Sequence, residues 1–165
     1  MRNVILAMVL AATGCATSGL NAATFSLEIV ADNDFAVFTG TSSSINHLLY
    51  QNNERWSEQI PALSTLEFTL PSGDTVFYVL GMGGGGQENV SGLVNGVDMT
   101  TISTLMSSNL SSYLSGYSAS LAAVENGTYT VSLTDVQTAF SSLTWGSPTT
   151  STSATVIGLA APNGV

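Results

Sequence analysis

Apolar and polar residues alternate through Phe25, Leu27 and Ile29, and again at Phe35 and Val37. A period of two sends every second side chain to one face, the mark of a half-buried strand. Ala31-Asp32-Asn33-Asp34 lies between these runs and is rich in residues that bond their own backbone. It predicts a tight turn, and the two runs predict a hairpin. The alternation returns at Leu66, Phe68 and Leu70, and Pro71-Ser72-Gly73-Asp74 follows as a turn. Val76 to Leu80 is a near-continuous apolar run, as expected of a central strand in a sandwich core. The stretch from Ser42 to Ser64 reads as a longer loop anchored by Trp56.

Past the glycine-rich stretch "VLGMGGGGQEN", residues 88–99 read as a short strand with Asn95-Gly96 as its turn. Ile102, Leu105, Met106, Leu110 and Tyr113 sit near helical spacing, so a helix is expected to open at Asp98. "NGTYTVSL", residues 126–133, predicts another strand. "TDVQTAFSSLTWG" predicts a short helix capped by Thr134 or Asp135, with Val136, Ala139, Phe140 and Leu143 on one face. The tail is Ser/Thr-rich, with a last strand expected at Ala154 to Leu159. Together these segments predict a mostly β fold: one β-sandwich domain over residues 24–165, with a few short helices on its connections.

The first 23 residues read as an address. A short basic start, an apolar stretch from Val4 to Ala12 and then small residues make a secretory signal, too short to span a membrane as a helix. Two processing readings stand side by side. Cleavage near Asn21-Ala22-Ala23 discards Cys15, the one cysteine, whereas "AATGC" resembles a lipobox that would lipidate it. Either way the body has no disulfide framework and no cysteine metal site.

Charge narrows the partners. Arg2 and Arg55 face 11 acidic residues, and the net charge is -9. Such a chain repels phosphate backbones and anionic lipid heads, which argues against nucleic acid and against membrane binding other than through a lipid or C-terminal anchor. The glycine run lacks the Lys-Ser/Thr of a phosphate cradle; Gln87 and Glu88 stand there instead. It reads as a connection between sandwich strands.

"IVADNDFAVFTG", "RWSEQ" and "LEFTLPSGDTVFYVLGM" together resemble galactose-binding-like jelly-roll modules. More specifically, they resemble secreted bacterial surface proteins that carry a PEP-CTERM sorting signal. The resemblance covers Thr24 to Leu80 and implies an extracellular or surface module. The Pro-Glu-Pro motif, apolar helix and basic end of that signal do not occur before Val165. On this reading either an anchor follows Val165 or the protein is held in another way.

The candidate chemistry is limited. Asp32 and Asp34, with Glu88 and Asn89, offer the oxygen donors that Ca²⁺ takes from flexible loops. Trp56, with Tyr50 and Arg55 nearby in sequence, is the expected ligand-binding set, because aromatic faces stack on sugars. His47 is the only histidine and no G-x-S-x-G elbow is present, so catalysis is not expected. Glu54, Glu58 and Glu67 offer carboxylates for glycoside hydrolysis, but nothing in the sequence sets two of them across a cleft. The expectation is a non-enzymatic exported module that binds glycan or a partner protein. The alternative is a self-associating structural subunit of a surface layer or filament.

Overall fold

The computed structural model describes residues 7–11, 24–32, 34–55, 58, 64–82, 89–101, 105–107 and 121–145. Two antiparallel sheets face each other. The first has the order β4 (Ser44–Asn52), β3 (Asp34–Thr41), β6 (Val76–Met82), β1 (Ala7–Ala11), β9 (Leu105–Ser107). The second has the order β5 (Ser64–Thr69), β2 (Thr24–Asp32), β7 (Asn89–Val94), β8 (Val97–Asp98). The expected β-sandwich is therefore present.

The core between the sheets takes one face of each alternating strand: Phe25, Leu27 and Ile29 from β2, Phe35 and Val37 from β3, Phe77 and Val79 from β6. Phe25 lies 5.0 Å from Phe77 and 5.6 Å from Phe68, ring centre to ring centre, and Phe68 meets Phe77 edge-on at 5.5 Å. Offset and edge contacts of this kind add to the area the rings bury. A second cluster covers the outer face of the first sheet. Helices α1 (Leu121–Glu125) and α2 (Leu133–Phe140) lay Val124, Val136, Ala139 and Phe140 on Ala36, Phe38, Tyr78 and Leu80. Strand β6 is thus buried on both faces, which explains its unbroken apolar run.

Several expectations need correction. β2 and β3 do not form a hairpin: they lie in different sheets, and the chain crosses between them at position 33. The segment read as a loop after Thr41 is largely strand β4, the edge of the first sheet. The helix expected from Asp98 does not form there. Val97 and Asp98 pair with Val94 and Leu93, a 3-10 turn covers Met99–Thr101, and residues 105–107 are a strand. Ser and Thr crowd this segment and compete for the backbone, and Met99 is drawn into the core.

Residues 128–132 pair with no strand. The Gln51 side chain takes a strand's place: its Nε2 donates to the Tyr129 carbonyl at 2.7 Å, and its Oε1 accepts from Val131 N at 2.9 Å. The expected second helix exists, capped one position earlier than Thr134's neighbour Leu133 by Ser132, whose Oγ accepts from Asp135 N at 3.2 Å. The strand expected at Ala154 to Leu159 lies outside the described residues.

Candidate functional site

Strand register defines two unlike ends of the sandwich. At one end Asp32 sits opposite Asn89, Asp34 opposite Met82, Phe35 opposite Asn52, and Ile29 opposite Ser64. Three connections between the sheets therefore leave from this end: position 33, residues 53–63 and residues 83–88. At the other end the turns among the described residues are short, and the chain also passes there from Ala11 in the first sheet to Thr24 in the second. Residues 42–43 join β3 to β4, Asn95-Gly96 joins β7 to β8 with both residues at positive φ, and Pro71 to Asp74 closes with Asp74 N donating to the Pro71 carbonyl at 3.0 Å. Gly73 there has φ 92°, the left-handed value that the third residue of a type II turn needs.

The described members of the sets predicted separately for cation and ligand map to the first end. Asp32 and Asn89 form a cross-strand pair, and Asp34 is fully buried at the start of β3. Tyr50 is half-buried, its ring 5.6 Å from Phe35 at 36°. Arg55 is exposed, with Nη2 donating to Asn126 Oδ1 at 3.4 Å. The chain leading to Arg55 is held firmly. Asn52 is buried, its Nδ2 donates to Ser64 Oγ at 3.3 Å, and its Oδ1 accepts from Glu54 N at 2.9 Å. Gly127 closes on the same place: a Cβ there would stand 2.6 Å from the Asn53 carbonyl oxygen. Cys15, Asn33, Trp56 and Glu88 lie outside the described residues. Among the described residues no three His, Cys, Asp or Glu side chains come together as a metal site.

The opposite end holds a polar cluster that sequence reasoning missed. Asp74, its side chain 1% exposed, accepts from Asn46 Nδ2 at 2.6 Å on Oδ1, and its Oδ2 lies 2.9 Å from His47 Nδ1. Thr39 pairs with His47 across β3 and β4. The Thr39 hydroxyl is buried and outside strict hydrogen-bonding geometry, yet close enough to Asp74 to act on it. Burial pushes the Asp74 carboxyl up. Thr39, Asn46 and His47, and the attraction to His47, together outweigh burial and hold it below the ordinary 3.8. Tyr78 donates its hydroxyl to the Thr41 carbonyl nearby, and burial with the Asp74 charge pushes its pKa up to about 12.

A carboxylate only accepts, so His47 meets it by donating from Nδ1, and the His47 side chain is half exposed. Thr39, the hydroxyl in this cluster, is buried on the carboxylate side and is not presented to a substrate in solvent. The arrangement acts as a clamp from edge strand β4 to the turn that starts β6. In the sequence Asp74 looked like a turn residue; Thr39 and His47 came together only through the β3–β4 register, which two irregularities shift.

No protein-family model, curated protein or solved structure significantly matches the chain.

Proposed function

We propose that the protein is an exported, non-enzymatic surface module that binds a neutral glycan through the β2–β3, β4–β5 and β6–β7 connections. The observation that carries this reading is the asymmetry of the sandwich. Three sheet-to-sheet connections leave from one end, whereas between Thr24 and Phe140 the turns described at the other end are short and one is held by the Asp74 clamp. Loops displayed from one end of a rigid sandwich are a recurring way to build a binding surface. The chemistry at that end suits sugars: Tyr50 and Trp56 as aromatic faces, Arg55 and the Asn52-Asn53 pair as hydrogen-bonding groups. Asp32, Asp34, Glu88 and Asn89 would supply oxygens for Ca²⁺, which orders such loops in many lectin-like sites. The resemblance to galactose-binding-like jelly-roll modules and the secretory pattern of residues 1–23 support the same reading.

The test is retention of the exported protein on immobilised neutral polysaccharides, with CaCl₂ or EDTA. Trp56→Ala and Arg55→Ala should abolish retention, and His47→Ala at the far end should leave it intact. Equal loss in all three variants, or no retention on any neutral polysaccharide, would refute the reading.

A further inference from the structure

Strand β1 is built from residues that the export reading removes. Its five residues lie inside the first sheet, with Ala7 opposite Leu80 and Ala11 opposite Val76 on β6, and Ala7 to Val9 opposite Ser107 to Leu105 on β9. β6 is buried along its whole length. Removal of residues 1–23 would leave one side of this central strand with unpaired N–H and C=O groups, the most hazardous kind of open edge. It would also separate β9 from the rest of its sheet.

We propose that, after residues 1–23 are removed, Ala154–Gly158 of the same chain takes the place of β1 between β6 and β9. This rests on the export reading. The first argument is composition. Ala7-Met8-Val9-Leu10-Ala11 and Ala154-Thr155-Val156-Ile157-Gly158 are identical at two positions and near in size at two more, with Thr155 smaller than Met8. The second segment carries Thr, Val and Ile, the better strand formers. No charge occurs anywhere in residues 146–165, so nothing bars burial of the segment.

The second argument is reach. Trp145, the last described residue, has its ring 6.1 Å from that of Tyr78, in the middle of β6. Eight residues, 146–153, separate it from Ala154. Extended, that link covers about 30 Å, whereas β6 is about 23 Å long. The segment can therefore enter the slot from either end of β6. A short tether gives an effective concentration on the order of millimolar, which favours the chain's own segment over a second copy's.

In the register of β1, Val156 would oppose Tyr78, Ile157 would oppose Phe77, and Gly158 would oppose Val76. The leader strand then holds the place until the final strand arrives, a cis form of strand complementation.

The experiment uses the exported full-length protein carrying Val76→Cys and Gly158→Cys. The mass of its N-terminus reports cleavage first. Once Cys15 has left with the leader, no other thiol competes. Opposed strand residues stand about 4.5–5.5 Å apart at Cα, within disulfide range. The expected result is an intramolecular disulfide, read as a mass loss of two hydrogens and faster non-reduced migration. As a second measurement, Val156→Asp should speed exchange of the Val76–Leu80 amides that do not bond β3 by at least roughly tenfold, with β2 unchanged. Cleaved, folded protein with two free thiols would overturn the replacement alone. A disulfide-linked dimer would overturn it in favour of a second copy. An N-terminus that retains Met1 would overturn the export reading and this proposal with it.

Discussion

Replacing Asp74 with Ala tests whether the buried carboxylate is the clamp it looks like. The Asn46 amide, 2.6 Å from Oδ1, would lose a bond to a buried charge, worth about 1.5–3 kcal/mol. The His47 contribution is smaller, since that ring is 50% exposed and water can replace the carboxylate; about 0.5–1 kcal/mol is the appropriate range. The sum, about 2–4 kcal/mol, corresponds to a Tm lower by about 6–12 °C for a domain of this size. Urea unfolding at neutral pH, followed by far-ultraviolet circular dichroism, measures it directly.

The pH dependence gives the sharper check. The folded carboxyl titrates below the ordinary 3.8, so the unfolded chain binds more protons as pH falls past that value. The stabilisation is complete above 3.8 and is lost as pH falls from there through the lowered folded value. The gap between wild type and Asp74→Ala should therefore be constant from pH 7 to pH 5 and narrow below 3.8. A gap under about 0.5 kcal/mol at neutral pH, the scale of an ordinary surface change, would refute the reasoning. So would a gap that stays the same into strong acid.

Three further substitutions probe the segments and turns that finish the first sheet. Gln51→Ala removes both bonds to the 129–131 backbone and should cost about 1–3 kcal/mol, with faster amide exchange at Val131. Gly127→Val places a branched side chain at φ 67° and into the Asn53 carbonyl, so it should cost about 1–3 kcal/mol in chemical denaturation, while Gly73→Ala, where a Cβ meets open space, should cost less.

The individual strands were legible because alternation is a local signal, but their pairing was not. Phe25 to Ile29 and Phe35 to Val37 were recognisable as strands, and joining them as a hairpin was an assumption about the turn. A stronger clue was already present. The core-facing residues 25, 27, 29, 31, 35 and 37 keep one parity straight through position 33. A chain that passes from one sheet to the other with the same side inward does this. One intervening residue is also shorter than the two-residue loop of a common hairpin. β4 was harder to see. The β3–β4 irregularities break its alternation, and Asn46, His47, Gln51 and Asn52 give an edge strand a polar look. Residues 128–132 failed in the opposite direction: their alternation is real, but the Gln51 amide and the Ala123 carbonyl, not a strand, take up their backbone groups.

The candidate site divides along the same line. The residue types were readable, and their convergence was not, because it depends on register. Asp32, Asp34 and the stretch before Trp56 are separated by up to two dozen residues, yet Asp32–Asn89, Asp34–Met82 and Phe35–Asn52 bring them to one end. The same topology accounts for the glycine run. It joins Met82 in one sheet to Asn89 in the other, and the register sets those two residues opposite Asp34 and Asp32. A nucleotide cradle also uses glycine to let backbone approach its ligand, but in this sequence Gln87, Glu88 and Asn89 follow the glycines where a cradle carries lysine. The proposed ligand is therefore hydroxyl-rich and uncharged, because Asp32, Asp34 and Glu88 would repel an anion unless a cation stood between them.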